Sequence, residues 1–520
     1  MNEQESAAPR RSRRRRRREE SGEAGQAVDQ LPWGQPKYVD PPTEPLDAEG
    51  VEKIHDASMR ILERIGIEFL HDEARQILKE AGCDVKPDST NIKMDREFVM
   101  EQVAKAPSSF TITPRNPAHR VVVGDDHCVF GQVASPPSVS DLDNGRRTGN
   151  RRDFQNLLRL AQSFNCIHIN CGYPVEPVDI HPSIRHLDAV YDVLTLTDKA
   201  MQPYPLGKER IEDAMEMVRI AGGLSWEEFQ ATPRMFTNIN SSSPLKHDWP
   251  MLDGAMRLAR HRQPVIITPF TLSGAMAPVT LAGAVAQQNA EALCAIALLQ
   301  VVQPGTPVVY GSFTSNVDMK SGAPAFGTPE YMRATQMSGQ MARRYNLPIR
   351  VSNANASNAP DAQATWESVY SLQAVAMAHG NVVYHAAGWL EGGLCASFEK
   401  FIIDCELLQQ FTYYQRPVSV TEDDLAVDAI EGVGPSGHFL GCDHTQQRYK
   451  TAFYSPFLSD WSNFEQWQKN GSLDATQRAN RIWKKVLAAY QPPPMDPAIR
   501  EELEAFVERR KVEGGSPTDF

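Results

Sequence analysis

Cysteine is scarce in this chain and shows no order. The 520 residues hold eight cysteines, at 83, 128, 166, 171, 294, 395, 405 and 442, with no CxxC among them. That excludes a disulfide-stapled secreted scaffold, which is short and cysteine-dense. Reduced thiols and a cytoplasmic location are expected instead. No apolar stretch follows the basic N-terminal run, so no secretory signal is read there. Uninterrupted apolar runs are missing too. The longest, Val279 to Val302, is broken by Gln287, Gln288, Asn289 and Glu291, and reads as a buried core helix and not a membrane span.

Several catalytic signatures are also absent. No GxGxxG follows the first strand-like run, and no P-loop occurs, which removes the common dinucleotide and nucleoside triphosphate sites. No GxSxG elbow is present to build a serine nucleophile. Clustered metal ligands are lacking. The nearest candidate, His438, Cys442 and His444 in HFLGCDH, is read as a glycine-rich structural loop, so no metal is expected.

Positive charge is confined to one place. Net charge is −12, and residues 10 to 18 contain eight arginines and Ser12. Setting those arginines aside leaves about −20 on the remainder. Such a body suits neither nucleic acid nor an anionic membrane. The run itself is read as a solvated tail, with RNA or membrane contact as the alternative.

What is present is a globular composition, 41% hydrophobic and 23% charged, with a repeating pattern. Residues 1–46 are polar and proline-containing and read as a disordered tail. Residues 47–125 read as an N-terminal helical cap: a helix capped by Asp47, two more near 72–81 and 95–106, then a strand-like pair at Phe110–Ile112 and Val121–Val123. From 126 to 412 eight extended runs alternate with eight helical segments. The runs are 128–133, 167–172, 200–204, 235–239, 265–268, 308–310, 349–352 and 382–385. Eight β-then-α units in series predict an α/β fold of the (β/α)8 TIM-barrel type. A doubly wound open sheet is the runner-up. Residues 413–520 read as a helical C-terminal extension packed on the barrel.

Active sites of such barrels lie at the C-terminal ends of the strands. Five consecutive strand ends carry polar and aromatic residues there. Among them are Thr268 and Phe270, Tyr310 and Phe313, Asn353 and Asn355, then His385, Trp389 and Glu391. Aromatics with few positive charges suit a cationic ligand, because a quaternary ammonium is attracted to ring faces. Tyr310, Phe313, Phe326, Tyr384 and Trp389 are the candidate rings. His379, at a helix end, is read as a C-terminal cap.

Three stretches, PGTPVVYGSFTSNVDMKSGAPAFGTPE (304–330), RVSNANASNAPDAQATWES (350–368) and VVYHAAGWLEGGLCASFEKFIIDCELL (382–408), resemble the trimethylamine methyltransferase superfamily. GPSGHFLGCDHT (434–445) and DATQRANRIWK (474–484) extend the resemblance over about 47–511. It implies a barrel and methyl transfer from a methylamine to cob(I)alamin on a separate corrinoid protein. One subgroup carries pyrrolysine and uses trimethylamine. This chain has no such residue and is similar to the members that lack it, among which is a glycine betaine methyltransferase. The expected donor is therefore a quaternary amine. Chemistry agrees: a quaternary ammonium leaves as a neutral tertiary amine and needs no proton, whereas trimethylamine needs activation.

On this reading His385 and Glu391 are the candidate catalytic residues. Tyr310, Phe313, Asn353, Asn355 and Trp389 are the candidate substrate contacts. His385 is the first choice for a betaine carboxylate, with Asn355 or Arg350 assisting, and Glu391 either orients His385 or faces the methyl groups. Glu399 is held out of the site as a helix brace. Asp179-Ile180-His181 departs from the corrinoid-binding DxHxxG pattern, with Ile184 in place of glycine, so cobalamin is expected on a partner. A homo-oligomer is compatible with all of this. Competing expectations are a cobalamin-independent demethylase using tetrahydrofolate or another acceptor, a trimethylamine methyltransferase, and a non-catalytic betaine binder.

Overall fold

Proline marks where strands begin. Pro264, Pro307 and Pro348 cannot continue a helix, and strands start directly after each. The structure is a computed structural model describing residues 27–518. Eight short strands recur through the middle of the chain: β1 (Val129–Phe130), β2 (Ile169–Asn170), β3 (Ala200–Met201), β4 (Thr237–Ile239), β5 (Val265–Ile267), β6 (Val308–Gly311), β7 (Ile349–Ser352) and β8 (Val382–Tyr384). A helix follows each: α1 (Arg151–Ser163), α2 (Pro182–Leu196), α3 (Lys208–Ala221), α4 (Trp249–Arg260), α5 (Leu281–Val302), α6 (Pro329–Arg344), α7 (Ala362–Ala378) and α8 (Phe398–Tyr414). Side-chain oxygens of Asn150, Asp248, Thr328, Asp361 and Ser397 cap five of them, satisfying backbone N–H groups a helix start leaves free.

All pairings among these strands are parallel. Six form one curled sheet in the order β4-β5-β6-β7-β8-β1, and β2 pairs with β3. An isolated parallel bridge joins Gly131, just past β1, to Ile169 of β2. At the other end, Phe236 N donates to Met201 O at 3.2 Å, beside β3 and β4.

Strand side chains alternate between faces, and two cores result. On the concave face Val129, Ile169, Ala200, Phe236, Ile266, Val309, Val382 and Tyr384 cluster. An antiparallel hairpin, Ser109–Ile112 with Val121–Gly124, adds Ile112, Val121 and Val123 to that cluster and closes it at the strands' N-terminal ends. On the convex face Val265, Ile267, Val308, Tyr310, Ile349, Val351 and Val383 join the larger core under the helices. Helix α5 is long and apolar enough to cross a membrane by length and composition, yet 89% of its apolar window is buried inside the fold. Its polar residues are bonded inward: Gln288 to Ser338 Oγ at 2.9 Å, Asn289 to Ser58 Oγ at 2.9 Å, and Glu291 to Ser243 Oγ at 2.6 Å.

Three expectations need correction. Residues 27–46 are a packed strap, not a disordered tail. Leu31 N donates to Gln409 at 2.6 Å, Gln35 bonds both ways with Val122, and buried Tyr38 donates to Gly380 O at 2.6 Å. Gln30, Leu46 and the ring of Trp33 add further contacts to a segment whose average composition is polar. The arginine run lies outside the described residues. Second, the cap holds a small sheet besides the expected helices and strand pair. Strands Ile67–Phe69, Asp84–Val85 and Asn91–Lys93 form a sheet with Lys246–His247 from the loop after β4. Strands of two or three residues are too short to show a period. Third, the C-terminal extension divides: Ala475–Ala489 and Pro497–Val512 pack on α8 and on α2 and α3, whereas the four short helices between 422 and 469 bury no residue at all.

Candidate active site

The concave face changes character along its depth. Below lie Val129, Ile169, Ala200, Phe236, Ile266, Val309 and Val382. One step up each strand, Gln202, Asn238, Thr268, Arg350 and Tyr384 follow, so a polar layer caps an apolar floor. It is hydrogen-bonded: Tyr384 OH donates to Gln202 Oε1 at 2.6 Å, and Thr268 Oγ1 to Asn238 Oδ1 at 2.7 Å. Gly311 faces inward here because nothing larger fits. A β-carbon would lie 2.2 Å from Thr268 Oγ1 and 2.4 Å from Ile267 O.

Above this layer the loops after β5, β6 and β8 build an aromatic wall. Phe313 is its centre, with ring centroids 5.2 Å from Phe270, 5.3 Å from Phe326, 5.8 Å from His385 and 6.3 Å from Trp389. His385 and Trp389 lie 3.8 Å apart. Backbone geometry presents them: His385 has φ +56, a left-handed conformation uncommon outside glycine. Gly393 is required beside the indole, since a β-carbon there would lie 2.6 Å from the Trp389 ring. Both side chains are 6% exposed, and neither His385 Nδ1 nor Trp389 Nε1 has a hydrogen-bond partner. Burial and the nearby Arg350 charge hold the His385 imidazole well below its ordinary pKa. It is neutral at neutral pH, with one ring N–H to donate.

The expected site residues separate into two groups. Phe313, Asn353, His385 and Trp389 come together. Asn353 is fully buried; its Nδ2 donates to Ala386 O at 3.1 Å and its Oδ1 is unpartnered. Tyr310 does not join them. Val309 occupies the concave face, so strand alternation turns Tyr310 to the convex side, where its hydroxyl accepts from Gln288 at 3.3 Å. Asn355 also points away, donating to Ala364 O at 2.8 Å and Ser368 Oγ at 3.1 Å. Glu391 sits on the rim, both its oxygens 3.0 Å from Arg146 Nε. That ion pair, and not His385, is its partner.

A buried charge pair holds the loop from behind. Lys400 and Asp404 on α8 are bonded to each other with no exposure. Asp404 accepts from Gly388 N at 2.9 Å, in the loop between His385 and Trp389, and from Ser368 Oγ at 3.0 Å. Ser368 in turn bonds Asn355, so one ion pair fixes the loops after β7 and β8. Glu399 braces the C-terminal helix, accepting from Asn480 and Trp483, each at 2.9 Å. His379 caps α7 in the left-handed conformation, its Nε2 2.9 Å from Asp40 O.

Among the described residues no group of three or more His, Cys, Asp or Glu side chains is placed to hold a metal. His444 bonds Asp423 O at 3.2 Å and Cys442 pairs with Thr445. His181 caps α2, accepting from Ser183 N. The arrangement thus offers aromatic faces, the neutral donors of His385 and Trp389, and a polar layer that includes Arg350. Among the described residues it has no nucleophile–base pair, so its side chains can bind and orient a ligand.

The chain is 39% identical to a glycine betaine methyltransferase of Desulfitobacterium hafniense over 471 residues, covering 90% of this chain and 98% of the relative. It is 31% identical to a trimethylamine methyltransferase from the same species, covering 90% and 94%. A solved structure, the monomethylamine methyltransferase of Methanosarcina barkeri, aligns over 89% of each chain at 10% identity and a TM-score of 0.48, a likeness too slight to bear on fold or chemistry. The family model for trimethylamine methyltransferase matches residues 10–515, and the chain belongs to that family and is a methyltransferase.

Proposed function

We propose that this chain removes a methyl group from a quaternary amine, glycine betaine or a close betaine, and passes it to cob(I)alamin on a separate corrinoid protein. One observation carries the reading: an aromatic wall beside buried, unpaired hydrogen-bond donors. Phe313 and Trp389 suit a cation that cannot donate hydrogen bonds, while His385 and Trp389 suit an acceptor. A zwitterion supplies both. The relative named for glycine betaine supports the choice of donor.

The residues of this chain mainly bind and orient. Phe270, Phe313, Phe326 and Trp389 exclude water from the N–CH3 bond and stabilise a charge that disperses as it breaks. His385, kept neutral by burial and by Arg350, places no second positive charge against the ammonium. The Lys400–Asp404 pair holds the Gly388 loop, and therefore both rings, in position. The acceptor, when bound, supplies a cobalt nucleophile strong enough that no enzymic nucleophile is needed. The departing amine is neutral, so no acid is needed either.

Finer architecture belongs to this proposal. We read the eight strands as a closed (β/α)8 barrel, supported by the Gly131–Ile169 bridge and the Phe236-to-Met201 hydrogen bond at the sheet ends. Residues 47–125 then form the cap and 413–520 the extension. Eight free cysteines support a cytoplasmic location.

The test follows the methyl group. With glycine betaine labelled in its methyl groups, the label is expected on cob(I)alamin and dimethylglycine is expected as the other product. Label on added tetrahydrofolate without cobalamin would make the chain a cobalamin-independent demethylase and overturn the assignment.

A further inference from the structure

Arg350 is one of three buried cations among the described residues, with Lys199 and Lys400. It is 3% exposed and lies on the concave side of β7. Lys400 pairs with Asp404, and Lys199 donates to the Ala161 and Phe164 carbonyls at 2.6 and 2.9 Å. No carboxylate among the described residues pairs with Arg350. Of its five N–H donors, the Nη1 group donates to Ser312 O at 3.2 Å and Nε has no partner. Its remaining company is aromatic: the guanidinium carbon is 4.4 Å from the Tyr384 ring centroid and 4.9 Å from that of Phe313. Guanidinium stays charged even when buried, and an unpaired buried charge costs several kcal/mol by general experience. In a chain of net charge −12, an acid at this point was easily available. Its absence calls for an anion from outside.

The neighbouring orphans agree. Ser352 Oγ, one inward position further along β7, has no hydrogen-bond partner, and neither do His385 Nδ1 and Trp389 Nε1, each able to donate; Asn353 Oδ1 is also unpartnered but only accepts. All lie from Arg350 towards the C-terminal ends of the strands. Phe313 connects the two zones, with Arg350 against its ring and Trp389 edge-on at 6.3 Å.

We infer that Arg350 is the anchor for the substrate's carboxylate, so that the donor binds with its acid inward and its trimethylammonium outward, between Phe313 and Trp389. The inference rests on the betaine reading and adds a direction and a selectivity. An ammonium and a carboxylate one methylene apart match two sites that share one ring. Methyl groups then face the open ends of the strands, where an acceptor on another protein can reach them. The same cation repels any donor lacking an acid. Protonated trimethylamine, tetramethylammonium and choline each bring a positive charge towards Arg350 with nothing to neutralise it. His385 is thereby a neutral second donor to the carboxylate, and Arg350, expected from the sequence to assist, carries the charge.

Calorimetric binding of glycine betaine and of choline to the full chain tests this. The wild type is expected to bind betaine at least about 100-fold tighter than choline, the scale of one charge-assisted pair. Arg350→Gln is expected to lose about 100-fold for betaine and to leave choline unchanged or tighter. Arg350→Lys, which keeps the charge and loses the fork, should fall between them. Betaine binding by Arg350→Gln equal to wild type would overturn the anchor. So would wild-type affinity for choline equal to that for betaine, a measurement that stands even if the variant fails to fold. Methyl transfer to cob(I)alamin is read separately. Selection of betaine through Arg350 without methyl transfer would keep the anchor and sink the reaction. Methyl transfer unimpaired in Arg350→Gln would do the reverse.

Discussion

Single residues at this site act through burial and direction, and only part of that is written in the sequence. Residue type pointed correctly to Phe313, Asn353, His385 and Trp389 as neighbours, because they follow strand ends. Type alone misplaced Tyr310 and Asn355. For Tyr310 the missing signal was parity: Val309 is the inward residue of β6, so its neighbour must face out. That makes a prediction. Tyr310→Phe should leave substrate KM unchanged and cost about 0.5–1.5 kcal/mol of stability, the worth of one hydrogen bond, read from a denaturant midpoint. Trp389→Leu should weaken betaine binding by about 1–2 kcal/mol through lost cation–π attraction with little change in melting temperature. Equal KM shifts in both variants would contradict the assignment of faces. Arg350 was legible only as a helper, since a sequence does not reveal that a cation has no anion beside it.

At the level of elements, pairing and bracing decide what moves. The eight runs and eight helices were legible because long amphipathic or apolar helices alternate with proline-initiated β-branched segments. The small cap sheet was not, its strands being too short for a period. Nor was the strap at 27–46, whose polar composition hides Trp33 and Tyr38. Tyr38→Ala should cost about 3–5 kcal/mol, as for other large aromatic truncations, measured by chemical denaturation; a loss near zero would mean the strap is dispensable. The Lys400–Asp404 pair belongs to this scale too. Removing one partner leaves a buried unpaired charge, so Lys400→Met should destabilise by about 3–5 kcal/mol. It should also lower turnover at saturating substrate, because Gly388 loses a fixed acceptor. Stability loss with wild-type turnover in the remaining folded enzyme would separate the brace from the site.

The whole molecule has a pH signature. His168 is buried beneath β1 and β2, with Nδ1 accepting from Phe130 N at 2.9 Å and Nε2 3.2 Å from Gly34 O. Burial and the Lys199 charge push its pKa down to about 3. The fold keeps it neutral, while the unfolded chain takes up a proton near pH 6.5. The unfolded state thus binds more protons in this window, and stability should decline as pH falls below about 6.5 and go on declining towards about 3. His385, shifted in the same direction, adds to the slope. Denaturant midpoints from pH 7 to about 4 measure it; His168→Gln should flatten the curve, and an unchanged slope would contradict the cause.

Relative turnover reads the choice of donor. With cob(I)alamin in excess, kcat/KM for glycine betaine is compared with that for trimethylamine on the same preparation. The account predicts demethylation of the betaine and no measurable turnover of trimethylamine, because a neutral leaving group, an aromatic wall and a buried cation all favour a zwitterionic quaternary amine. Trimethylamine turned over at a rate equal to or above that of every betaine tested would contradict it.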